Sequence, residues 1–198
     1  ETLNLLKAEG IGAVGVGTAE DPARASRPHV YDLNGLRVAL LAYAASRWNG
    51  SEDMPSTERV AWAEVETVRA GVRAARESAD VVVVLLHAGT EYAEKPSPNQ
   101  VAVARAAVDA GADLVVGHHP HVTQTVEHYG QGLIVYSLGD ALFDIPRPGA
   151  MLGDLLRVEV TEQGLTRAEL WPFWINEAIQ PRLLDDGSGG PRVETIYP

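Results

Sequence analysis

Three imidazoles fall within four positions in the stretch Gly117-His118-His119-Pro120-His121, in a chain of 198 residues that has only 6 histidines. Imidazole is the commonest metal-holding side chain near neutral pH, because its unprotonated form is available without a large pKa shift. The stretch directly follows Ala112-Asp113-Leu114-Val115-Val116, an apolar run that reads as a buried strand. His87 ends a second run, Asp80 to Leu86, which is apolar on both faces like a central strand of a parallel sheet. The chemistry these residue types indicate is metal coordination. Glu91 and Tyr92, four and five residues past His87, are placed to orient a ligand imidazole or to handle a proton. Asp140 ends a further apolar strand and is available either as a ligand or as a hydrogen-bond partner of one. A lone histidine at a strand end is more simply a hydrogen-bonded structural group. The His-x-His pair with a converging third histidine favours metal.

Convergence requires that the strands end at one edge. After His87 a loop with Pro96 and Pro98 leads into a helix over Asn99 to Ala110, with Val101, Ala104 and Val108 on one face and Gly111 as its stop. The strand from Asp113 to Val116 completes a β-α-β unit, whose right-handed crossover makes the two strands parallel. As neighbours they lie about 4.8 Å apart, and ligands of open α/β sheets bind beyond their carboxyl ends. In an extended stretch His119 and His121 point one way and His118 the other, so His118 stands between ligand and supporting group. His29 and His128 fall on hairpins away from this edge.

The remaining elements form the frame. A helix over Thr2 to Glu9 ends at Gly10, a strand follows over Ile11 to Val16, and residues 17–28 are loop. Asn34-Gly35 joins Val30–Leu33 to Leu36–Ala42 as a hairpin, because both turn positions need positive φ. Ser46 to Ser56 is polar loop, and a helix from Thr57 to Ser78 buries Val65, Val68, Val72 and Ala75. Thr123–Glu127 and Leu133–Leu138 form a second hairpin, and Asp154–Thr161 and Leu165–Ile175 alternate as antiparallel strands before a turn-rich tail. The pattern predicts a mixed α/β (α+β) fold, with residues 1–198 as a single domain.

A net charge of −11 excludes nucleic acid and anionic membrane surfaces as partners, since both would repel the chain. There is no cysteine, hence no disulfide and no thiolate ligand or nucleophile. No apolar run approaches the roughly 20 residues needed to span a bilayer.

Three motifs in order, His-x-Gly-x-Glu-Tyr at His87 to Tyr92, Gly-His-His-Pro-His at Gly117 to His121 and Tyr-Ser-Leu-Gly at Tyr136 to Gly139, resemble the bacterial capsule-synthesis CapA family. The likeness extends over nearly the whole chain, including Gly15-Val16-Gly17 and the Asp80 to Leu86 strand. It implies a metallophosphoesterase-like β-sandwich flanked by helices, related to the calcineurin-like enzymes, and a link to poly-γ-glutamate biosynthesis. It also implies a dinuclear site at one sheet edge, holding Mn, Fe or Zn ions roughly 4 Å apart that activate water and neutralise an anionic substrate. By resemblance His87, His119 and His121 are metal ligands; Asp140 is taken as a further one from its place at a strand end, and Glu91 or His118 is expected to assist proton transfer. The implied partners are an anionic small molecule or polymer and a membrane-bound polymer synthesis complex, on the cell-envelope or extracellular side. A non-catalytic accessory protein of polymer synthesis or export is the alternative. Two positions depart from the family pattern. Ala88 replaces the usual Trp, which is expected to widen the pocket, and Asp140 replaces the usual Asn. The family's Asp-ending first strand and its Asn-Leu-Glu and Asn-Asn-His segments do not occur in these residues. The chain is therefore expected to be the carboxyl-terminal two-thirds of such a domain, with a missing N-terminal segment supplying the remaining ligands.

Overall fold

The computed structural model describes residues 2–45, 59–144, 147 and 149–197. In chain order the elements are α1 (Thr2–Ala8), a 3-10 turn (Pro22–Ser26), β1 (His29–Leu33), β2 (Leu36–Ala44), α2 (Val65–Arg76), β3 (Val81–His87) and α3 (Pro98–Asp109). There follow β4 (Leu114–His118), β5 (Val126–Tyr129), β6 (Gly132–Val135), β7 (Leu152–Thr161), β8 (Gly164–Ile175), β9 (Pro181–Leu183) and β10 (Glu194–Tyr197). A 6-stranded sheet has the order β1-β2-β3-β4-β6-β5, and a 4-stranded sheet has the order β10-β8-β7 with β9 paired to β8. The pairs β2–β3, β3–β4 and β4–β6 are parallel, and the outer strands β1 and β5 are antiparallel.

The valine-rich strands are apolar on both faces because each face has its own core. From β3, Val82, Val84 and Leu86 pack against Val68, Val72 and Ala75 of α2 and Val103, Ala104 and Ala107 of α3. Val83 and Leu85, with Leu114 and Val116 of β4 and Leu133 and Val135 of β6, face the second sheet through Leu156, Val158 and Ala168. Burying one such side chain stabilises the fold by about 1.5–3 kcal/mol. The result is a β-sandwich with α2 and α3 on one outer face, which agrees with the expected mixed α/β class.

Asn34 and Gly35 take φ of 58° and 93°, as the two-residue hairpin requires. Three expectations need correction. Residues 11–15 do not form a strand; Val16 alone makes a bridge, to Val60. The second helix starts at Val65 rather than Thr57, because Ala61 donates to the Gly15 carbonyl and Ala63 to that of Ala44, extending residues 60–63 alongside the end of β2. Tertiary pairing outweighs helix propensity there. The tail carries two short strands, β9 and β10. The loop expected at Ser46 to Ser56 lies outside the described residues.

One close fit between layers yields a prediction. The Tyr43 hydroxyl is buried under α2 without a hydrogen-bond partner among the described residues, and a Cβ added at Gly71 would collide with its oxygen. Tyr43→Phe is expected to match or exceed wild-type stability by about 1 kcal/mol, since it removes an unsatisfied buried group. Gly71→Ala should destabilise the wild type, and Tyr43→Phe should relieve most of that loss. Burial also pushes the Tyr43 phenol up to about 12, whereas the unfolded chain ionises near 10. Its contribution is thus intact below pH ~10 and lost as pH rises through the folded value. Urea midpoints measured across that window should decline more in wild type than in Tyr43→Phe; parallel declines would overturn the assignment.

Candidate metal centre

β3 and β4 end side by side, with His87 in register with His118. His118 continues the alternation of Leu114 and Val116 and faces the gap between the sheets, where it lines a cavity of about 510 Å³ with Asp140 and Asp154. Its Nδ1 lies 2.8 Å from the Gly117 carbonyl. A carbonyl only accepts, so Nδ1 carries the proton and Nε2 is the unprotonated nitrogen.

Beyond His118 the chain leaves the strand. His119 and His121 take φ of 100° and 61°, so the extended geometry expected of the pair is replaced by a left-handed turn around Pro120. Their side chains still converge. Ligand atoms of His119, His121 and Glu91 all lie within 4.8 Å of one another, and the His87 ring is centred 4.8 Å from that of His119. Tyr92 has φ of 62°. Three non-glycine residues with positive φ around one cluster are strain of order 1–3 kcal/mol each, sustained only where the surroundings fix them.

The fixing contacts are on the chain itself. Ala88 N–H donates to the His118 carbonyl and Tyr92 N–H to that of Pro120 at 2.7 Å, joining the loop that carries Glu91 to the one that carries the histidines. Below them Gln100, 1% exposed, donates to the Tyr136 carbonyl at 2.8 Å and to Gln124 at 2.9 Å; Gln124 donates to the Ala93 carbonyl. Gln100 also completes a capping box with Ser97 at the start of α3. The Ser-x-x-Gln spacing ahead of an apolar run is the sequence signal by which Gln100 could have been found; Gln124 carries no such signal. Ala88, expected to widen the pocket, is 2% exposed and packed in the helix-side core.

Asp140 arrives through the Ser137–Gly139 segment, which bridges the sheets: Asp154 N–H donates to the Leu138 carbonyl, and Gly139 pairs with Gly153. Its Oδ1 is 2.8 Å from His121 Nδ1. The carboxylate accepts a hydrogen bond from Nδ1–H, leaving the unprotonated Nε2 of His121 free to coordinate, an arrangement that orients ligand imidazoles. In this geometry Asp140 holds a histidine; among the described residues its other oxygen is buried without a partner, as is Nε2 of His119.

Burial lowers the pKa of His119 against the opposing pull of Glu91, and burial also lowers that of His118. His87 is lowered by burial and then by the imidazoles of His119, His118 and His121. Neutral imidazoles are the form that binds metal. Two histidines and a carboxylate, with an orphaned buried imidazole nitrogen among them, fit a divalent ion of the Mn, Fe or Zn group.

A family model described as bacterial capsule synthesis protein PGA_cap matches residues 1–145. The PGA biosynthesis protein CapA of Bacillus subtilis (strain 168) is 33% identical over 178 residues, covering 90% of this chain and 47% of that protein. The capsule biosynthesis protein CapA of Bacillus anthracis is 37% identical over 150 residues, covering 74% of this chain and 36% of that protein. The chain thus spans less than half the length of these relatives. Among solved structures, a 5'-nucleotidase precursor from Thermus thermophilus aligns with a TM-score of 0.52 at 18% identity, over 90% of this chain and 36% of that one. That likeness shows the metallophosphoesterase-like fold.

Proposed function

This chain belongs to the bacterial capsule synthesis protein family, and from that premise we propose that it is the metal-binding part of a metal-dependent hydrolase acting in capsule or poly-γ-glutamate synthesis. The observation that carries the proposal is the meeting of Glu91, His119 and His121 ligand atoms within 4.8 Å at the carboxyl edge of parallel strands. His119, His121 and Glu91 would hold one divalent ion, with His87 beside them as a ligand of a dinuclear arrangement. Such an ion supplies positive charge that polarises an ester, amide or phosphoryl oxygen of an anionic substrate. The residues themselves do the rest. Asp140 keeps the proton on His121 Nδ1 and so fixes the ring. His118, protonated on Nδ1, presents Nε2 as a base toward the inter-sheet cavity, in reach of the same edge. Glu91 is exposed, which also suits it to pass a proton to solvent. A metal at this edge would offset the negative charge of the chain where an anionic polymer approaches. The family setting supports a place at the cell envelope, beside a membrane-bound polymer synthesis complex. Among the described residues no helix is long and apolar enough to cross a membrane.

The test is turnover. Protein loaded with Mn, Fe or Zn is assayed on a chromogenic phosphodiester and on γ-glutamyl oligomers, with and without chelator. Chelator-sensitive hydrolysis of one class is expected, and it should be lost in His121→Ala. Stoichiometric metal with turnover of neither class would overturn the hydrolase reading in favour of a non-catalytic accessory role.

A further inference from the structure

Arg147 stands over the ring of Tyr92, with its guanidinium carbon 4.0 Å from the ring centroid. Tyr92 in turn stacks on His121, at 5.7 Å between centroids and 26° between planes, and Phe143 also stacks on that imidazole, at 5.0 Å. The cation is therefore two stacked contacts from a histidine of the candidate metal centre. A cation–π contact at this distance holds the charge in place but uses none of the five N–H donors of an arginine. Among the described residues those donors make no hydrogen bond and no ion pair. That is notable in a chain with 27 acidic and 16 basic side chains, and with Glu91 next in sequence to the tyrosine it covers.

The backbone beneath Arg147 is anchored. The Arg147 carbonyl accepts from the N–H of Ala150, 2% exposed. Gly149 has φ of 86° and sits against Val122, at the end of the histidine turn. Tyr92 is itself tied to Pro120. A guanidinium seated on an aromatic ring, with its donors unused among the described residues, is suited to a planar or tetrahedral oxyanion, which it can grip through two parallel N–H bonds.

We infer that Arg147, held on Tyr92, is the anion-recognising residue of this site, and that the substrate presents a carboxylate or phosphate group beside the bond that reacts at the histidines. The second half of that inference rests on the metal-dependent reading above; the binding of an oxyanion by Arg147 does not.

The experiment is calorimetric titration of the protein, metal-free and metal-loaded, with inorganic phosphate and with γ-glutamyl-glutamate as probes. Wild type is expected to bind at least one probe in the metal-free form, and the probe bound more tightly identifies the source of the oxyanion. Arg147→Ala should weaken that binding roughly tenfold or more, the scale of a charge-assisted bidentate contact. Its metal content and thermal midpoint should stay at wild-type values. Arg147→Lys keeps the charge without the fork and should recover only part of the affinity. Equal binding by wild type and Arg147→Ala, or binding of neither probe by wild type, overturns the inference. If wild type takes up no metal while the Arg147-dependent binding persists, the metal reading fails and this one stands.

Discussion

His119→Ala is expected to leave the protein without stoichiometric divalent metal by elemental analysis, while its metal-free form folds at least as well as wild type. The two halves of this expectation come from the same imidazole. Among the described residues Nε2 of His119 is buried without a partner, on a residue 8% exposed. An unsatisfied buried polar atom destabilises a fold by about 1–3 kcal/mol, so removing the ring relieves the metal-free protein. A ligand nitrogen of the same ring is within 4.8 Å of the ligand atoms of Glu91 and His121, so removing the ring dismantles the donor set. Addition of metal at a hundred times its dissociation constant should stabilise wild type by about 2.7 kcal/mol and the variant hardly at all. Asp140→Asn provides a graded comparison. It keeps shape at the His121 contact but loses the charge, and the expected loss of affinity is of order 10–100-fold. Undiminished metal in His119→Ala would overturn the assignment of the centre.

Much of the frame is legible in the sequence, for identifiable physical reasons. The runs at Asp80–Leu86 and Ala112–Val116 are apolar at nearly every position, and only a strand covered on both faces uses such a pattern; the helix between them forces the parallel order. Asn34-Gly35 specifies its turn because few residue pairs tolerate two positive φ values. The edge at which the histidines gather follows from those facts alone. What was not legible depends on long-range contacts. Residues 60–63 are extended because Gly15 and Ala44 offer them carbonyls, and no local signal records that. The left-handed conformations of Tyr92, His119 and His121 run against residue preference and are imposed by the bonds between two loops. The partner of Asp140 is set by a segment crossing between sheets, and the contact of Arg147 by a turn whose neighbours in space lie far away in sequence. Local pattern locates the edge; tertiary hydrogen bonds aim the side chains on it.

Gly117→Ala tests that last distinction, and its expected effect on stability is the largest of any single methyl added to the strands. Gly117 lies in β4 opposite the end of β6. A Cβ there would collide with the Tyr136 carbonyl oxygen and lie 2.6 Å from its carbon and 3.2 Å from its Cα. All three are backbone atoms, so no rotamer change can make room. The Tyr136 carbonyl is also the acceptor for Gln100, and Tyr136 leads directly into the Ser137–Asp140 segment that holds His121. Separating the strands by the required distance would break the Gln100 bond, shift Asp140 and loosen the turn carrying His119 and His121. The expected loss is about 3 kcal/mol or more, at the upper end for an overpacked core, which is roughly 6–12 °C in thermal midpoint for a chain of this size. Metal affinity should fall with it, although no ligand has been touched. The Tyr43→Phe protein offers no relief here, unlike at Gly71, because the obstacle is main chain and not a side chain. A midpoint within about 2 °C of wild type, against that expected shift, would mean that β4 and β6 do not approach this closely, and with that the account of how the histidines are aimed would fall.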